Sequence, residues 1–70
     1  MAYGNADLQR QVANLCFIVS SSGGQDQFAM TSLAYLLYEN PFYEPYAAEM
    51  LGTAEWDAVL AEINDIPGGS

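Results

Sequence analysis

Residues Phe28–Tyr38, FAMTSLAYLLY, run for eleven positions without a charged side chain, and their periodicity decides the fold. At 100° per residue, Ala29, Met30, Leu33, Leu36 and Leu37 fall on one side of a helix, and Phe28, Thr31, Tyr35 and Tyr38 on the other. Only Ser32 and Glu39 occupy the seam between the two sides. A surface helix carries one apolar stripe; a helix apolar nearly all round is buried, in its own domain or against a partner. The expected fold is therefore all-α, a small bundle of three to four short helices around a buried central helix.

The flanking segments supply the other helices. Leu8, Val12, Leu15 and Val19 recur at spacings of four, three and four, which is one face of a first helix, with Arg10, Gln11 and Asn14 opposite. Asn5 is placed to cap it, and Asp7 falls in its first turn, where the helix dipole favours an anion. The stretch Leu15–Val19, LCFIV, has the β-branched and aromatic content of a strand. No other segment offers a pairing strand, so helix is expected. Ser20–Gly24, SSSGG, breaks this helix and allows a turn. Asp26 or Gln25 then opens the central helix, and Asn40-Pro41 stops it, because proline restricts the residue before it.

Pro41–Leu51, PFYEPYAAEML, begins as an aromatic turn and becomes a short third helix with Pro45 in its first turn. Tyr46 and Met50 share a face there, and Gly52 is read as its C-terminal cap. Thr53 is expected to cap a fourth helix with Glu55 and Asp57 in its first turn. Trp56, Val59, Leu60 and Ile63 form its core stripe; Asp57, Ala61, Glu62 and Asp65 face outward. The expected helices are roughly 6–20, 26–39, 45–51 and 54–65, with Leu15, Leu33, Leu37, Trp56, Leu60 and Ile63 in one core. Residues 66–70 are expected to form a loose tail. No repeat or linker divides the chain, which reads as one small domain over residues 1–70.

Composition excludes most chemistry. The chain has no histidine and a single cysteine, so the usual general base at neutral pH is missing and no internal disulfide can form. Cys16 sits in an apolar run with no neighbouring base and reads as a core residue rather than a nucleophile. One sulfur and no imidazole make a poor zinc site, and the alternating Asp/Asn loop of a calcium site is absent. The glycines before the central helix lack the lysine of a phosphate-binding loop. Two carboxylates could in principle cleave a glycoside, but a bundle this small suggests no cleft for a sugar. No catalytic, cofactor-binding or metal-binding residue is expected, and the protein reads as a non-enzyme. Met1–Asp7 lacks the basic start of a signal peptide, no run is long enough to span a bilayer, and the lone thiol suits a reducing cytoplasm.

The charge and the tyrosines point to function. Nine acidic side chains face one arginine, for a formal charge of −8. Such a field repels nucleic acid and anionic membrane and attracts basic protein surfaces; it also serves solubility, or a salt-loving host. Five tyrosines are many for so small a core, and tyrosine gives large contact area with a polar tip. Tyr38, Phe42, Tyr43 and Tyr46, flanked by Glu39, Glu44 and Glu49, read as apolar anchors within an acidic rim. Glu55, Asp57 and Glu62 of the fourth helix extend that surface. This compositional profile is similar to that of small acidic inhibitors encoded by phages and mobile elements, including anti-CRISPR and DNA-mimic proteins; no motif carries the likeness. It implies an inhibitor that blocks a basic, nucleic-acid-binding surface of a host protein. The alternative is a structural or adaptor subunit, a homodimer for example, packed through the two-faced central helix.

Overall fold

The computed structural model describes residues 6–66. Four α-helices follow one another, α1 (Ala6–Ser22), α2 (Gln27–Glu39), α3 (Glu44–Met50) and α4 (Thr53–Asn64), and a single 3-10 turn, Pro41–Tyr43, leads into α3. No strand occurs among the described residues, and LCFIV lies within α1. The all-α bundle expected from periodicity is the fold observed. The Cα radius of gyration is 11.3 Å, against about 11 Å for a compact chain of this length.

Each boundary has a local cause. Helix α1 runs two residues past the expected stop, through Ser22, and ends in a Schellman motif. The Gly24 N–H donates to Val19 O at 2.9 Å and the Gly23 N–H to Ser20 O at 3.2 Å. Gly23 holds φ +64° and Gly24 φ +82°, a region that only glycine enters without strain. The Ser22 hydroxyl bridges onward, donating to Val19 O and accepting the Asp26 N–H, both at 3.2 Å. Asp26 is the N-cap of α2, its carboxylate accepting the Ala29 N–H at 3.1 Å. Asn40 closes α2 by donating from Nδ2 to Leu36 O at 3.0 Å. The Asn5 cap expected for α1 lies outside the described residues.

Between α3 and α4 the caps differ from those expected from sequence. Leu51, in extended conformation, caps α3, and Gly52 occupies the N-cap of α4. Thr53 is the first residue of α4 rather than its cap, and no side chain caps that end. Gly52 has an ordinary negative φ of −71°, so its backbone does not demand glycine.

The core is one cluster. Val12, Cys16 and Val19 of α1, five residues of α2, Ala47 of α3, Leu51, Val59, Ile63 and Ile66 are buried in it. Leu33, Leu37 and Ile63 are therefore core as expected, while Leu15, Trp56 and Leu60 pack at its edge, half-buried. Ile66 was expected in the loose tail; it is buried, and its N–H donates to Ile63 O at 3.1 Å. Residues 67–70 of that tail lie outside the described residues.

Helix α2 is central but not enclosed. Its buried side chains are Ala29, Met30, Leu33, Ala34 and Leu37, one continuous face that receives α1 and α4. The opposite face stays open, with Phe28 81% exposed, Tyr35 47% and Tyr38 38%. The two-faced pattern is thus one core face and one aromatic surface stripe.

This division predicts unequal mutational costs. Leu33→Ala, at the centre of the buried face, is expected to cost about 2–5 kcal/mol, roughly half the stability of a domain this size at about 0.05–0.15 kcal/mol per residue. Asp26→Ala removes one cap and is expected to cost about 0.5–2 kcal/mol. Thermal melts followed by circular dichroism check both; equal melting temperatures for the two variants would refute the ranking.

Candidate functional site

The candidate surface is built where α2 turns into α3. Asn40, at φ −135° and ψ +68°, leaves the helical region because Pro41 follows it. The Tyr43 N–H then donates back to Asn40 O at 3.0 Å, closing a tight turn, and Pro45 enters the first turn of α3, where no N–H is needed. This sequence of constraints brings three rings together. Phe42 and Tyr43 meet edge to face with centroids 5.3 Å apart and planes at 89°; Tyr43 and Tyr46 lie 6.4 Å apart at 72°. Edge-to-face contact is the favoured arrangement for aromatic quadrupoles.

The three rings differ in burial. Tyr43 and Tyr46 pack against the core, half-buried, whereas Phe42 is 81% exposed. Together with Gln9 of α1 and Pro45 they line a wide, open surface cavity of about 460 Å³. Gln9 and Pro45 were missed by the sequence reading. Gln9 belongs to the polar surface of α1 and is separated by more than thirty residues from Tyr43; only the packing of α1 against α3 brings it there.

The acidic residues are spread more widely than the tyrosines. Glu39 and Glu49 are exposed and Glu44 is half-buried beside the cluster in the chain. On α4, Asp57 is exposed, and Glu55 is half-buried with its carboxylate folded toward the Gly52 Cα. Glu62 accepts a hydrogen bond from Gln27 Nε2 at 3.0 Å, which ties it to the start of α2. Tyr38 sits eleven residues along α2 from Gln27, about 16 Å at the usual helical rise. Glu62 therefore marks the opposite end of α2 from the aromatic cluster. The arginine, Arg10, is exposed and held by Asp7 of the same helix at 3.3 Å, a contact of small energetic value.

Other chemistry finds little purchase. Cys16 is buried, and burial pushes its thiol up from 9.0 to about 11, so it is a protonated, poorly nucleophilic core group at neutral pH. Among the described residues no cluster of three or more His, Cys, Asp or Glu side chains could hold a metal ion, and no helix is long and apolar enough to cross a membrane. No known protein family, curated protein or solved structure matches this chain.

The cluster's burial pattern separates anchoring from folding. Phe42→Ala is expected to change stability by no more than about 0.5 kcal/mol, as for an ordinary surface substitution. Tyr43→Ala, which strips a ring packed on the core, is expected to cost about 1–3 kcal/mol. Urea denaturation of the two variants measures this difference, and a Phe42 variant as damaged as the Tyr43 variant would show that Phe42 supports the fold.

Proposed function

We propose that this protein is a small, non-enzymatic binding protein whose aromatic, acidic surface around Tyr38–Glu49 seats on a basic protein surface. The observation that carries the reading is Phe42, a large ring left 81% exposed beside two half-buried tyrosines in a chain of formal charge −8. Leaving such a ring in water forgoes about 1.5–3 kcal/mol of burial, and a partner that covers it recovers that energy. Exposed aromatic anchors are the usual carriers of interface affinity, while the net charge steers a cationic partner during approach.

A groove that binds a nucleic-acid backbone is a basic surface of this kind. Occupying it requires affinity and no reaction, so the reading extends to an inhibitor of a nucleic-acid-binding host protein. Carboxylates on successive helical turns stand about 5–6 Å apart, a spacing suited to a row of cations. The protein itself is proposed to avoid nucleic acid, which its charge repels.

A second reading rests on a separate observation, the exposed stripe of Phe28, Tyr35 and Tyr38 on α2. These apolar rings share one helical face and could pack against a second copy, making the protein a subunit of an assembly.

Salt separates the two. Association with a basic partner is expected to weaken steeply with ionic strength, whereas self-association through α2 is expected to hold or tighten as repulsion between two acidic chains is screened. With the partner captured from host lysate at low salt and then purified, Glu44→Lys with Glu49→Lys is expected to slow association and flatten its salt dependence. Phe42→Ala or Tyr46→Ala is expected to hasten dissociation, at a cost of about 1–3 kcal/mol. Surface-plasmon kinetics measure both effects. Unchanged kinetics in every folded variant would overturn the assignment of this surface, and sedimentation at rising salt would then test the assembly.

A further inference from the structure

The cavity beside the aromatic cluster has a chemical character of its own. Its lining is three aromatic rings, one proline and the amide of Gln9; no charged side chain contributes. Successive rings stand nearly perpendicular, so the wall is a corner rather than a flat stack. Aromatic faces carry negative quadrupole potential and attract cations. The chain around the cavity is acidic, with Glu44 between Tyr43 and Pro45, and its one arginine is engaged with Asp7. A lining of rings with no charged side chain among them, on a chain of formal charge −8, is complementary to a positive ligand.

We infer that this cavity takes the side chain of an arginine presented by a basic protein segment. The inference rests on the function proposed above and names the group that the aromatic surface would hold. Arginine fits better than lysine for three reasons. Its guanidinium is planar and stacks on ring faces, and it is more weakly hydrated, so it loses less on leaving water. Its several N–H donors suit a neutral acceptor such as the amide oxygen of Gln9, which lines the cavity. A lysine ammonium, compact and strongly hydrated, would shed water against a lining that offers few acceptors. A purely apolar group would fill the corner yet gain nothing from the field.

The test uses the full chain and two acetylated peptides of equal length and charge, one bearing arginines and the other lysines in a glycine background. At low salt both are expected to bind the acidic surface, the arginine peptide about 2- to 30-fold more tightly. Its NMR shift changes are expected at Gln9, Phe42, Tyr43 and Tyr46. Phe42→Leu keeps apolar bulk at an exposed position and is expected to reduce the arginine preference without loss of fold. Tyr46→Phe keeps the ring and is expected to retain the preference. Equal binding of both peptides would overturn the arginine site while leaving the acidic-surface reading in place. A preference undiminished in Phe42→Leu would likewise overturn it, and binding of neither peptide at low salt would overturn both readings.

Discussion

The structure depends on one buried helical face. Ala29, Met30, Leu33, Ala34 and Leu37 of α2 form the face that takes both α1 and α4, and two of the five are alanines. Small residues let neighbouring backbones approach, so two helices can share one face of a third. Small domains bury only about 60% of the surface that their unfolded chains expose. Among the described residues α1 and α4 seat on the buried side of α2, and Phe28, Tyr35 and Tyr38 on its other side are exposed at the surface.

The candidate site follows from the same shortage. Helix α3 is only seven residues long and contributes one buried alanine, Ala47, to the core. Tyr43 and Tyr46 lean on that core from its edge, and Phe42, one residue earlier on a tight turn, points its ring beyond it. The turn is fixed by Asn40-Pro41 and by Pro45, so the aromatic cluster is held by backbone restriction as well as packing. Tyr43 and Tyr46, packed on the core, have less conformational entropy to lose on binding than a free ring, which favours their use as anchors. Of the acidic side chains beside them in the chain, Glu39 and Glu49 stay exposed and Glu44 is half-buried. Within one short segment, rigid apolar anchors and long-range charge are combined.

Much of this was legible in the order of the residues. The period of Leu8, Val12, Leu15 and Val19, the uncharged run Phe28–Tyr38, the glycine pair at 23 and 24 and the stop at Asn40-Pro41 determined α1 and α2 and their approximate bounds, as Pro45 and the stripe Trp56, Val59, Leu60 and Ile63 did for α3 and α4. They did so because helical periodicity, glycine's access to positive φ and proline's restriction of its neighbour are local properties of the chain. The same holds for the −8 charge, the shielded thiol and the clustering of aromatic residues near residues 38–46. The sequence placed Leu33 and Leu37 in the core, but it could not determine whether the aromatic side of α2 would also be covered, since that depends on where α1 and α4 find room. Nor could it show that Gly52 starts α4 instead of ending α3, that Ile66 folds back on the core, or that Glu62 pairs with Gln27. The meeting of Gln9 with the rings of Phe42, Tyr43 and Tyr46 is the clearest case. It arises from the packing of α1 on α3, a contact between distant parts of the chain that leaves no periodic or spacing signal in either one.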